Sequence, residues 1–216
     1  MFQTDILFGI PIYKTKIDPS LYDKENIVST IKKNYNIGPR NRHSNYSTDM
    51  HMSFDDEKNN QFEKIDYKKL KKVYDNIFNN FVKSLELNHK GNIHCNYVIL
   101  NYTASNKNDY MGEHNHLPDD DFACVHYLQM GKNQVGTTFT NTHVFSKYLE
   151  YMLPNIYKLS NRKEKINSYI YPRYTLDVEE DDLIIFPSVA NHLIKKLDNI
   201  SNKLRITIAT NLKLEI

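Results

Sequence analysis

The sequence predicts a mainly β protein, an antiparallel sandwich or barrel with helices at its N-terminal end covering one face. Three observations carry this. First, seven short runs rich in Ile, Val, Tyr, Phe and Thr follow residue 93: IHCNYVILNYT, FACVHYLQM, QVGTTFTNT, SYIYPRYTLDV, DDLIIFP, NHLIKKL and KLRITIATNLKLEI. Turn residues separate them and most have no helical stretch between them, which argues against a βαβ chain. Second, two stretches before residue 93 carry apolar residues at helical spacing. Third, 216 residues suffice for one core that hides roughly 70% of the unfolded surface, so no disulfide or structural metal is needed for folding.

The elements follow in order. Residues 6–17, ILFGIPIYKTKI, are apolar and β-branched; Pro11 makes them an edge strand or a strand with a break. Asp18-Pro19-Ser20 starts a helix, Asp18 as cap and Pro19 in the first turn, running to about Asn34 with Leu21, Ile27, Val28 and Ile31 on one side. Residues 36–60 are polar and read as a long surface loop. Leu70, Val73, Ile77, Phe81 and Leu85 then mark an amphipathic helix of about 25 residues. Between the later strands, Phe145, Leu149, Met152, Ile156 and Leu159 give a helical insertion over about 144–165, with Pro154 inside it. The chain thus reads as one domain, residues 1–92 supplying strand, helices and loop, and 93–216 the β core.

Lys and Arg number 28 against 26 Asp and Glu, a net charge of +2, which offers no electrostatic footprint for nucleic acid. Arginine is scarce: Arg40, Arg42, Arg162, Arg173 and Arg205 stand among many lysines. Each is therefore a candidate for planar, bidentate chemistry. Cys95 and Cys124 lie in apolar runs outside any CxxC pair and read as reduced, buried thiols. The N-terminus has no basic segment before its apolar run and carries Asp5, so it does not read as a signal peptide. No run approaches the roughly 18 apolar residues of a membrane span. A cytoplasmic protein is expected.

Of nine histidines, His43, His51, His89, His94 and His143 stand without a partner nearby in sequence. His114 and His116 differ. In an extended segment residues i and i+2 point the same way, so two imidazoles face one point. His192 opens a later strand, and antiparallel pairing can bring it beside the pair. Three imidazoles suit Fe, Zn, Cu, Ni or Mn. Arg205 lies on the next strand with Thr207 on the same face. A buried guanidinium needs a partner. That partner is either a structural carboxylate, Asp177 or Asp182, or a small dicarboxylate ligand held with the help of the Thr207 hydroxyl.

His114-Asn115-His116, the YL strand at Tyr127, LIIFPS, His192 and Arg205-Ile206-Thr207, all on short β runs, resemble the Fe(II)/2-oxoglutarate-dependent oxygenases. The likeness is to their prolyl-hydroxylase-like branch and to phage-type oxygenases, whose opening LFGIPIY also resembles. It covers roughly residues 96–212. It implies a double-stranded β-helix, the jelly-roll, cupin-like form, with helices packed on the major sheet. It implies a dioxygenase, a hydroxylase using Fe(II), 2-oxoglutarate and O₂, with ascorbate as a further candidate. If the chain is phage-encoded, the host cytoplasm is its compartment. The resemblance puts the metal on His114, His116 and His192, and the far carboxylate of 2-oxoglutarate on Arg205 and Thr207. Tyr127 and Tyr102 fall at positions that contact the co-substrate.

The family usually places a carboxylate where this chain has His116. Three neutral imidazoles leave the metal its full charge, which the 2-oxoglutarate dianion would neutralise. Otherwise Glu113 or one of Asp119, Asp120 and Asp121 completes the site. HNHLPDDD with PSVANH also reads as a cupin metal site without 2-oxoglutarate, although the 76 residues between His116 and His192 are many and Arg205 then has no role. A non-catalytic phage structural protein that kept the barrel is a third reading. The substrate is not legible. The loop 36–60 and the insertion 144–165 are candidate entrance elements. Lys147, Lys158, Arg162, Lys163 and Lys165 against Glu150 and Glu164 point mildly to an acidic or phosphorylated partner.

Overall fold

The computed structural model describes residues 3–7, 9–37, 48, 50–53, 61–87, 93–106, 109–142, 173–196 and 201–215. Most of the polar loop 36–60 and all of the insertion 144–165 lie outside the described residues.

Eleven strands are assigned: β1 (Gln3–Leu7), β2 (Ile10–Lys16), β3 (His51–Met52), β4 (His94–Ser105), β5 (Met111–His114), β6 (Phe122–Gln129), β7 (Thr138–Thr140), β8 (Arg173–Thr175), β9 (Asp182–Pro187), β10 (His192–Ile194) and β11 (Arg205–Glu215). Two helices precede the core, α1 (Lys24–Ile37) and α2 (Lys68–Ser84). The larger sheet has the order β1-β2-β9-β6-β11-β4-β3 and the smaller β5-β10-β7-β8. All pairings are antiparallel. Strands β4 to β11 thus wind between two four-strand blocks, β9-β6-β11-β4 and β5-β10-β7-β8, with only β7 and β8 consecutive within one block. That is the jelly-roll winding, as expected.

Alternation along the strands explains the layering. On β9, Leu183 and Ile185 join the cluster under the helices, while Ile184 and Phe186 join the cluster between the sheets. Both faces are covered, so the strand reads as a continuous apolar run. On β11, Ile206 and Ile208 face the helices, which leaves Arg205, Thr207 and Ala209 for the inside. A bulge between Ala209 and Thr210 shifts the register of β11 against β4.

The helices lie on the outer face of the larger sheet. Ile27, Val28 and Ile31 of α1 and Leu70, Tyr74, Phe78 and Phe81 of α2 pack with Tyr102, Cys124, Leu128, Ile185 and Ile208. Asp18 caps a short 3-10 turn, Pro19–Leu21, through the Ser20 amide at 2.9 Å, and α1 begins after it. Leu21 falls in that turn and is 59% exposed, outside the apolar stripe assigned to it from spacing. Helix α2 has 17 residues, shorter than expected, and its most buried line is Leu70, Tyr74, Phe78 and Phe81. Asn34 ties α1 to the segment entering α2, its amide donating to Glu63 O at 3.0 Å and accepting from Glu63 N at 2.9 Å. The predicted first strand is a hairpin that turns at Gly9, φ +77°, a conformation open to glycine. Cys124 is buried as expected, whereas Cys95 is only partly buried; both are free. No helix among the described residues is long and apolar enough to cross a membrane.

Candidate metal centre

Strand β5 was not legible as a strand in the sequence. It sets His114 directly opposite His192 of β10. His116 lies two residues further on, where its backbone N–H donates to Ser188 O at 3.0 Å in the turn after β9. The candidate ligand atoms of His114, His116 and His192 all lie within 4.8 Å of one another. Ring centroids are 4.3 Å apart for His114 and His192, 5.2 Å for His116 and His192 and 5.5 Å for His114 and His116. Small ring rotations bring such nitrogens to an ion's bonding distance of about 2.0–2.1 Å. The three residues predicted from two remote stretches therefore meet.

Their hydrogen bonds set the tautomer. His114 Nδ1 lies 2.9 Å from Gly112 O, and His192 Nδ1 lies 2.9 Å from Ala190 O. A carbonyl only accepts, so Nδ1 carries the hydrogen and Nε2 the lone pair. Each ring is thus oriented as a ligand by its own backbone two residues back. Burial lowers the pKa of all three. It takes His116 to about 4, with the His114 charge adding and the Asn211 amide opposing. His192 lies well below its ordinary value, by burial first and then by the other two rings. His114 is lowered by burial against its bond to Gly112. Neutral imidazoles are the form a metal takes.

No carboxylate joins the cluster among the described residues. Glu113 alternates with its neighbours and faces the other way. It accepts from Thr140 Oγ1 at 2.9 Å and Asn191 Nδ2 at 3.2 Å, with Arg173 3.6 Å away. Asp120 accepts from Asn211 Nδ2, and Asp121 from the Leu214 amide at 2.7 Å.

Arg205 and Thr207 share the inner face of β11. Thr207 lines a cavity of about 60 Å³ with all three histidines, and its hydroxyl bonds Thr103 Oγ1 at 2.6 Å. Arg205 is 5% exposed, and none of its three guanidinium nitrogens has a hydrogen-bond partner among the described residues. The structural pair with Asp177 or Asp182 is not formed among these residues; Asp182 instead accepts from the Glu179 amide at 2.7 Å. The Tyr127 ring lies 5.2 Å from the guanidinium carbon, a cation–π contact. Burial lowers the Arg205 pKa and Tyr127 opposes this. The Tyr127 hydroxyl is engaged with Thr137, at 2.8 Å to Oγ1 and accepting from its N–H at 2.9 Å.

Tyr102 needs a correction. It lies on the helix side of β4, packed in the outer core and 3.2 Å from His51 Nε2, because Thr103 takes the inward position opposite Thr207. The sheet separates Tyr102 from the histidines. His51, without a partner nearby in sequence, is fully buried and stacks on Tyr102. Sequence reasoning also missed the other cavity residues, among them Asn101, Thr103, Met52, Met111 and Ile194. The parity of Asn101 and Thr103 around Tyr102 was the available signal.

Three clustered imidazoles, with the unpartnered guanidinium of Arg205 two residues from the cavity-lining Thr207, form a donor set suited to a divalent metal and an anion. No family model and no curated protein matches the sequence. Solved structures do. A Pseudomonas putida prolyl-4-hydroxylase matches with a TM-score of 0.50 at 10% identity, covering 94% of this chain and 91% of that one. The chain has the prolyl-hydroxylase fold. A Trichoplax adhaerens prolyl hydroxylase, solved with a hypoxia inducible factor oxygen degradation domain peptide fragment, matches at TM-score 0.45 and 11% identity over 93% and 83% of the two chains. A 2OG-Fe(II) oxygenase family oxidoreductase from Burkholderia pseudomallei matches at TM-score 0.33 and 12% identity over 54% and 43%. The prolyl-hydroxylase fold, with its two sheets and flanking helices, is what sets His114 at the end of β5 against His192 at the start of β10.

Proposed function

We propose that this chain is an Fe(II)/2-oxoglutarate-dependent dioxygenase acting as a hydroxylase, and that residues 1–216 work as one domain. The carrying observation is the pairing of an orphaned Arg205 guanidinium, two residues before the cavity-lining Thr207 on β11, with a three-imidazole cluster on the other sheet. Three imidazoles alone fit a cupin metal site, but that reading leaves Arg205 with a buried charge and nothing to hold.

His114, His116 and His192 would hold the metal through Nε2. Arg205 and Thr207 would take the far carboxylate of 2-oxoglutarate, with the Tyr127 ring backing the guanidinium. Bound there, iron would couple decarboxylation of 2-oxoglutarate to succinate with transfer of one oxygen atom of O₂ to the substrate. The chain's part is to hold and shield. Met52, Leu100, Met111 and Ile194 line the cavity with apolar surface and limit water at the reacting centre. The backbone bonds of His114 and His192 keep their rings from turning away.

The test is metal-dependent turnover. Metal-free protein is loaded anaerobically with Fe(II) and 2-oxoglutarate, and the visible charge-transfer absorption of the complex is recorded. Air is then admitted, with ascorbate added only to keep the iron reduced, and succinate is measured. The expected result is a band that needs both components, and succinate that needs Fe(II). Metal binding with no dependence on 2-oxoglutarate would favour the cupin reading.

A further inference from the structure

The candidate centre is short of negative charge. Metal-bound imidazoles are neutral, so a divalent ion on His114, His116 and His192 keeps two positive charges. Arg205, inward on β11 two residues before the cavity-lining Thr207, adds a third, with no hydrogen-bond partner for its guanidinium among the described residues. 2-Oxoglutarate brings two negative charges, and one positive charge is left over. A site with two histidines and a carboxylate has no such surplus, because the carboxylate cancels it.

The chain's own acids do not fill the gap. None of the residues lining the cavity is acidic. Glu113 faces away toward Thr140, Asn191 and Arg173. Asp120, Asp121 and Asp182 are each held by another donor. The lining is mostly apolar, from Met52, Leu100, Met111, Ala123, Val125, Ile194 and Ala209. An uncompensated charge in such surroundings is costly and attracts a counter-ion strongly.

We propose that the centre takes a small monoanion beside the metal, together with 2-oxoglutarate. This rests on the functional reading above. The anion is either a free inorganic ion or a carboxylate carried by the substrate; the shared chemistry is one negative group close to the metal, outside the position left for O₂. His116, standing where a carboxylate would stand, creates the demand.

The experiment uses Co(II) as a visible probe in the full-length protein with saturating 2-oxoglutarate. Chloride, azide and acetate are titrated separately at constant ionic strength. The expected result is a saturable change in the Co(II) absorption with at least one of them, and binding at least about tenfold weaker in His116→Asp or His116→Glu, roughly 1.4 kcal/mol. Response to chloride or azide identifies a free-anion site, and response to acetate alone a substrate carboxylate. If Co(II) or 2-oxoglutarate itself fails to bind, the underlying functional reading has failed. If both bind and no anion perturbs the spectrum, or if the acidic variants bind the anion as tightly as the parent, the anion site alone is overturned.

Discussion

Replacing Arg205 by methionine should make the ligand-free protein more stable while it loses its grip on 2-oxoglutarate. The two effects share one cause. Arg205 is 5% exposed, its three nitrogens lack partners among the described residues, and the Tyr127 ring lies 5.2 Å from its guanidinium carbon. Methionine has similar length and no charge. Exchanging a buried ionic group for a packed apolar one is neutral to stabilising by about 1–4 kcal/mol. For a chain of this size, each kcal/mol moves Tm by roughly 2–4 °C. The ligand-free variant should therefore melt several degrees above the parent. In the complex the guanidinium would make two charge-assisted hydrogen bonds, each contributing about 1.5–3 kcal/mol. Losing both should weaken 2-oxoglutarate binding by about 3–6 kcal/mol, roughly a hundredfold to twenty-thousandfold. Calorimetric melting without ligand and isothermal titration of the Mn(II)-loaded protein measure the two sides. Mn(II) affinity itself should stay within about threefold. A variant that melts lower and loses metal and 2-oxoglutarate together would show that Arg205 is a structural residue, and the reasoning would be refuted.

Other expectations follow from the same geometry. Glu113→Gln should leave metal affinity unchanged, as read by Co(II) titration, because that carboxylate bonds Thr140 and Asn191 on the outer side of β5; a large loss would return Glu113 to the ligand set. Phe81→Ala should cost about 3–5 kcal/mol in urea unfolding, since the ring is fully buried with edge contacts to Tyr13 and Phe122. His126 gives a pH dependence. Burial first, and then Lys24, lowers its pKa to about 3, so between its ordinary value of 6.5 and that point the unfolded chain binds more protons. Stability is full above pH 6.5 and should fall by about 1.4 kcal/mol per unit below it from this residue alone. His126→Gln should flatten the slope between pH 6.5 and 4.5 in metal-free protein; an unchanged slope would contradict the assignment.

Much of this arrangement could be read in the sequence because it rests on local parity. His114 and His116 converge because side chains two apart in extended chain share a face, and His192 heads a strand whose apolar run announced it. Long strands buried on both sides, such as β9, stood out as unbroken Leu, Ile and Phe. Short strands did not: β5 is four residues long, with Glu113 facing out, and β3 has only two. Pairing register was the harder matter, since a shift of one residue reverses every side chain. The resemblance puts Tyr102 at a co-substrate position, yet in the register of β4 against β11 Thr103 takes the inward position opposite Thr207. Polar residues in the outer core are hard to place by residue type. His51, His126 and Tyr74 look like surface residues by type, yet Tyr74 and His126 satisfy each other at 2.9 Å beneath the helices.

The most direct check of the central claim is a crystal structure of the protein with Mn(II) and 2-oxoglutarate, the metal located by its anomalous signal. The account predicts one peak bonded by Nε2 of His114, His116 and His192, with the distal carboxylate of 2-oxoglutarate on Arg205 and Thr207. A metal held by Glu113, or by two of the histidines with the third turned away, or a co-substrate whose carboxylate ignores Arg205, would contradict it.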